Sequence, residues 1–179
     1  MLIFHEADIK VYACSLVHVE ERSGMRYDVE RAGVRSLLRE AFGNEVEAVA
    51  HTLEGAPYLP GRSESISVSH CRGLAVLAVS STGAAIGVDA ESVGRGVQLK
   101  RVMRRFLCEA QISEWGTDES QLLRAWTIKE ALYKAAGIVG WALVDIPLPP
   151  ESSRQFECVY VPCPITDDVI ITIVKKKNA

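Results

Sequence analysis

An α+β fold is predicted for this sequence on three observations. Short runs rich in β-branched and apolar residues recur between Gly- and Pro-containing turns, segments with helix-cap signals lie among them, and each half of the chain mixes strands with a helix. The 179 residues, 48% hydrophobic and 24% charged, suffice to bury a substantial core in one large domain or two small packed ones.

Taken in order, residues 9–19 read as a strand and residues 28–42 as a helix, with Asp28 suited to the N-cap and Gly43 to the stop. Strands are expected at 46–52, 66–71, 74–81 and 85–89, forming a small antiparallel sheet. The second half repeats the theme with a basic helix over 98–106, a short helix over 109–115 and a long one over 118–136 that Gly137 ends. Strands at 156–161 and 169–175 flank the Pro162-Cys163-Pro164 turn, and Lys175-Lys176-Lys177 reads as a solvated tail. No low-complexity linker or repeat by residue identity is present, and the division expected is an N-terminal half, 1–84, and a C-terminal half, 85–179.

A net charge of -3 excludes reading the whole molecule as a polyanion binder but leaves local basic patches open and says little about partners; no nucleic-acid partner is expected. No apolar run reaches membrane-spanning length, and no membrane partner is expected either. Cys14, Cys71, Cys108, Cys158 and Cys163 are odd in number and form no Cys-x-x-Cys pair, which argues against a disulfide framework or a zinc knuckle and for a reducing compartment. With Glu6 and Asp8 near the start and no basic flank, apolar h-region or small-residue cleavage site, a cytoplasmic protein is expected.

Asp89 and Glu91 alternate at the end of the run Ala84-Ala85-Ile86-Gly87-Val88, so in an extended strand both carboxylates face one side. Such a pair suits Mg²⁺, which takes one or two carboxylates and completes its octahedron with water and phosphate oxygens. A solvated strand end accounts for the same short pattern. On the long helix Glu130 and Lys134 stand one turn apart, beside the core stripe formed by Ala125, Leu132, Tyr133 and Ala136. An ordinary i, i+4 surface ion pair fits that spacing equally.

Together, Gly87-Val88-Asp89-Ala90-Glu91 and Trp126-Thr127-Ile128-Lys129-Glu130-Ala131-Leu132-Tyr133-Lys134 resemble the two signature motifs of the 4′-phosphopantetheinyl transferase superfamily. Gly55-Ala56-Pro57-Tyr58-Leu59 and Ile66-Ser67-Val68-Ser69-His70-Cys71 resemble its Gly-Lys-Pro and Ser-His-Ser elements, so the likeness runs from Gly55 to Gly137. The chain is shorter than many members of the surfactin-type branch but long enough for both of their similar halves, and that similarity implies a monomeric pseudodimer of two α+β subdomains with the site between them. The resemblance implies transfer of 4′-phosphopantetheine from coenzyme A to a serine hydroxyl of an apo acyl or peptidyl carrier protein, releasing 3′,5′-ADP. That is a holo-[acyl-carrier-protein] synthase activity, serving fatty-acid, polyketide or nonribosomal peptide synthesis.

Under that resemblance Asp89, Glu91 and Glu130 hold Mg²⁺, Glu130 is also the general base, and Lys134 stabilises the leaving phosphate. Ser69, His70 and, more weakly, Lys129 contact phosphate, with His51 and Arg35 helping to anchor the nucleotide. Arg31, Arg35 and Arg39 recur every fourth position, either as a solvated helix face or as a phosphate-facing stripe. Arg95, Lys100, Arg101, Arg104 and Arg105 concentrate positive charge, which reads either as a solvated patch or as a surface that suits an acidic carrier. Trp115, Met103 and Leu107 read as core or as interface.

Four positions depart from the family pattern. Ala56 stands for the Lys of Gly-Lys-Pro, His51 for a stronger base, Cys71 for the second Ser, and Gln111 for a Glu that would add an acidic group to the metal site. These departures motivate a second reading, a non-catalytic coenzyme A or carrier-binding module of the same fold. A metal-dependent diphosphate hydrolase would use the same ligands.

Overall fold

The computed structural model describes residues 1–16, 26–46, 49–137 and 140–177. Within them nine strands and four α-helices form an α+β fold, as the sequence predicts. Strands β1 (Leu2–Glu6), β2 (Ile9–Ser15), β5 (Ser65–Cys71) and β6 (Leu74–Ser80) build an antiparallel sheet in the order β1-β2-β6-β5. A two-stranded hairpin, β3 (Ala50–His51) with β4 (Pro57–Tyr58), precedes β5. Strands β7 (Ile86–Ser92), β8 (Phe156–Val161) and β9 (Val169–Lys176) form a second antiparallel sheet in the order β7-β9-β8.

The helices are α1 (Arg26–Phe42), α2 (Gly96–Val102), α3 (Glu109–Trp115) and α4 (Glu119–Ala136). The side chain of Asp28 lies outside the described residues, but position 28 is already inside α1 and so is not its cap. At α4 both expected signals operate: Asp118 accepts from the backbone N–H of Ser120 and Gln121, and Gly137 closes the helix in the left-handed conformation at φ 61°.

Strand β6 is apolar from Leu74 to Val79 because both of its faces are covered. Leu74, Val76 and Ala78 join Val11, Val88, Ala90, Ile171 and Ile173 between the two sheets. Ala75, Leu77 and Val79 join Val29, Leu37 and Leu38 beneath α1. On the far side of the second sheet, α4 buries Leu122, Ala125, Ile128, Ala131 and Leu132 with Leu99, Phe106, Leu107 and Val174. The apolar cluster between the sheets draws on strands from both sides of residue 84. Met103 and Trp115 pack partly buried against the α4 cluster and Leu107 is buried in it, so the three belong to the core.

Several sequence expectations change. Two sheets and a hairpin replace one small sheet, and β1 is added to the expected strands by its antiparallel pairing with β2. Strand 46–52 shrinks to Ala50–His51 after a 3₁₀ turn at Gly43–Glu45, with residues 47–48 outside the described set. The basic helix starts at Gly96 and passes into a 3₁₀ turn at Met103–Arg105. Lys175 is no solvated tail: it lies in β9, half-buried, and pairs with Asp8, which Thr82 and Ser80 also bond. The expected core stripe of α4 is rotated, since Tyr133 and Ala136 are only partly buried whereas Leu122, Ile128 and Ala131 are fully so.

Candidate active site

Strand β7 runs through Glu91, which makes the predicted alternation real. Ile86, Val88 and Ala90 face the apolar layer between the sheets, leaving Gly87, Asp89 and Glu91 on the α4 side. Gly87 permits this approach: a Cβ there would lie 1.9 Å from the carbonyl oxygen of Ala131. With the helix that close, Lys134 Nζ donates to Val88 O at 2.8 Å and to Asp89 Oδ1 at 3.0 Å.

The outer edge of β7 meets β5 through serine hydroxyls rather than a backbone ladder. Ser67 Oγ accepts from Val88 N at 3.0 Å and Ser69 Oγ from Ala90 N at 3.1 Å, while Ser69 donates to Asp89 Oδ1. Residues of the Ser-His-Cys element thus join the two sheets and hold the first carboxylate. Cys71 is buried, and burial pushes its thiol up to about 11, so it acts as a packing group.

Asp89 is only 5% exposed, and its Oδ2 is buried with no hydrogen-bond partner among the described residues. Burial raises its pKa, and the neighbouring Lys134 only partly offsets this. Burial likewise raises that of Glu130, reinforced by Asp89 and Glu91. Glu91 directs Oε1 to Arg95 Nη1 and to Trp126 Nε1, the latter at 3.1 Å. Burial works against the Arg95 charge, but the Glu91 hydrogen bond and the fields of Glu91, Asp89 and Glu130 outweigh it and hold the guanidinium protonated. Arg95 therefore folds back onto the carboxylates rather than joining the solvated patch expected of it.

Among the described residues, no three His, Cys, Asp or Glu side chains stand arranged to hold an ion as they lie. The donor set nevertheless fits a hard divalent cation. Three carboxylates share one field, the pKa values of Asp89 and Glu130 are raised, and a buried carboxylate oxygen lacks a partner.

From Asp89 and Lys134 a cavity of about 1040 Å³ extends to α1 and the β3–β4 hairpin. Arg31 and Arg35 line one wall; His51, Ser69 and His70 line others, and Ala56 leaves that part of the hairpin without a cation. Arg39 does not line it. Glu30, whose carboxylate lies 3.5 Å from His70 Nδ1, and Tyr133, expected in the core stripe, also line the cavity. Glu30 and Val34 repeat the i, i+4 step of Arg31 and Arg35 one residue earlier on α1, and Glu91 stands i, i+4 to Arg95; these spacings are the sequence signal for the cavity wall and for the carboxylate clamp.

Lys129 is the one expected phosphate contact that the fold takes elsewhere. It is fully buried, and its Nζ donates to Gln111 Oε1 at 2.9 Å, Leu143 O at 2.7 Å and Ile146 O at 2.6 Å. Gln111 also bonds Cys108 N and Ile146 O. Position 111 thus faces Lys129, not the carboxylates, so the Gln there takes nothing from a metal site.

The described helices include none long and apolar enough to cross a membrane. A search of curated proteins gives no match. Residues 85–159, which carry Asp89, Glu91, Glu130 and Lys134, match the family model of the 4′-phosphopantetheinyl transferase superfamily.

Proposed function

We propose that this protein transfers 4′-phosphopantetheine from coenzyme A to a serine hydroxyl of an apo acyl or peptidyl carrier protein in the cytoplasm. It acts as a single chain whose N-terminal half, 1–84, receives the nucleotide and whose C-terminal half, 85–179, supplies the carboxylates. The observation that carries the reading is Asp89: a buried carboxylate with one orphan oxygen, held by Lys134 and Ser69 at the inner end of a cavity walled by Arg31, Arg35 and His70.

Mg²⁺ held by Asp89, Glu91 and Glu130 would neutralise the coenzyme A diphosphate and the charge growing on its leaving oxygen. Glu130 takes the serine proton, a task for which a carboxylate with a raised pKa is suited. The serine oxygen bonds to the β-phosphorus as the bridging P–O bond breaks, and 3′,5′-ADP departs with that electron pair. Lys134 donates to the departing α-phosphate, exchanging its present bond to Asp89. His70, Ser69, His51 and Arg35 orient the phosphates. Basic residues of α2 and its 3₁₀ extension, Lys100, Arg101, Arg104 and Arg105, steer the acidic carrier.

Glu91 turned toward Arg95 favours the second reading, a binding module that has lost transfer. Intact-mass analysis after incubation with coenzyme A, Mg²⁺ and a panel of apo carriers separates the two. Wild-type protein is expected to add phosphopantetheine, Glu130→Gln to abolish the reaction, and Lys134→Met to lower kcat by about 10²- to 10⁴-fold with a smaller change in coenzyme A affinity. Binding of coenzyme A without transfer to any carrier would support the module instead, and release of 3′,5′-ADP without a carrier would mark a hydrolase.

A further inference from the structure

This inference rests on reading Asp89, Glu91 and Glu130 as the carboxylates that hold the divalent metal. Arg95 is bound to that group from the open side. Its Nη1 donates to Glu91 Oε1, its guanidinium lies 4.8 Å from the centroid of the Trp126 ring, and Trp126 Nε1 donates to the same Glu91 oxygen. Trp126 is itself fixed edge-on against fully buried Phe106 at 5.1 Å. The platform under Arg95 is therefore rigid, while the Arg95 side chain is 38% exposed and that of Glu91 only 12%.

Charge decides what this arrangement does. Asp89, Glu91 and Glu130 carry three negative charges within one another's field, and Lys134 on Asp89 with Arg95 on Glu91 returns two positive ones. The metal-free cluster keeps a single net negative charge, where without Arg95 it would hold two. A carboxylate cannot give its full field to a guanidinium and to a divalent ion at once, and the ion, with twice the charge and a shorter approach, prevails on contact. Arg95 has open solvent to move into, whereas Trp126 stays packed and keeps Glu91 aimed after Arg95 leaves.

We propose that Arg95 is a built-in counter-cation that competes with the divalent metal for Glu91 and so sets the metal affinity of the site downward. Loading the site exchanges the Arg95–Glu91 ion pair for a metal–Glu91 contact. Arg95 is thus a positioning residue, acting through Glu91, and its charge is what matters.

Mn²⁺ is the probe, with free ion counted by electron paramagnetic resonance during titration of the full chain, alone and with saturating coenzyme A. Arg95→Gln is expected to bind Mn²⁺ about three- to tenfold more tightly than wild type, the size expected when one screened unit charge is removed several ångströms from a divalent ion. Arg95→Lys keeps the charge and is expected to stay near the wild-type affinity. A residue that merely orients Glu91 would give the opposite sign, so weaker or unchanged binding by Arg95→Gln overturns the inference, as does tightening of the same size by Arg95→Lys. Asp89→Asn separates the two levels of the argument. If wild type binds no Mn²⁺, or Asp89→Asn binds it as well as wild type does, the reading of the metal carboxylates falls and this inference with it. If wild type binds, Asp89→Asn does not and Arg95→Gln is unchanged, only the inference falls.

Discussion

Lys129 and Lys134 sit on one helix and serve opposite purposes. Lys134 reaches across to Asp89 beside the cavity; Lys129 points into the body of the protein, where its ammonium ties α4 to the carbonyls of Leu143 and Ile146 and to Gln111. A Lys129→Met variant would orphan those acceptors, which costs about 1–3 kcal/mol, while its folded fraction should bind coenzyme A as wild type does. The pH dependence gives a second reading of the same residue. Burial pulls Lys129 down to about 8 from 10.5, so between those values the unfolded chain binds more protons than the folded one. Its contribution to stability therefore rises with pH across that window, because below it the folded protein must carry a buried charge. The stability deficit of Lys129→Met should accordingly widen from pH 8 toward pH 10; thermal unfolding of both proteins across that range, with coenzyme A titrations at pH 7.5, tests this. A deficit that narrows, or a large loss of coenzyme A affinity, would return Lys129 to the site.

At the scale of elements the site depends on how closely α4 lies on β7. The contact is backbone against backbone at Gly87, where an added Cβ would meet Ala131 O at 1.9 Å and Ala135 N at 2.8 Å. Neither neighbour is a side-chain end that can swing aside, so helix and strand must separate. Gly87→Ala should cost about 3 kcal/mol or more, the upper end of overpacking effects, and should pull Lys134 away from Val88 O and Asp89. Chemical denaturation would read the first effect and the transfer assay the second. A variant as stable and active as wild type would mean that the helix is not seated as described.

Across the whole molecule, the cavity joins elements far apart in sequence: α1, the β3–β4 hairpin, β5 and the end of α4. Among the described lining residues the arginines on the N-terminal side are Arg31 and Arg35, with Ala56 and His51 on the hairpin opposite. Under the proposed function, anchoring of the 3′-phosphate falls to α1. Arg35→Ala should weaken coenzyme A binding roughly tenfold, an amount typical of one charge-assisted contact, and weaken dephospho-coenzyme A much less. Calorimetric titration with both ligands measures the difference. Equal losses would assign Arg35 to the diphosphate or to the cavity wall in general.

The sequence by itself determined the elements whose signals are local. The Asp118 cap and Gly137 stop bound α4, period-2 alternation put Asp89 and Glu91 on one face of β7, and the residues at 87–91 and 126–134 carry the likeness to the superfamily whose family model matches 85–159. The short strands β1, β3 and β4 were poorly legible because a strand's partners, not its own residues, decide whether it forms. Only the tertiary structure decided which way each charged side chain turns. Lys129 and Lys134 lie on different faces of α4, about 140° apart, but which polar atoms each meets is decided only when neighbours supply carbonyls to one and a carboxylate to the other. Arg95 reads as part of a basic surface until Trp126 and Glu91 meet it. Burial and hydrogen-bond pairing are properties of what surrounds a residue, and those surroundings come from segments dozens of residues away along the chain.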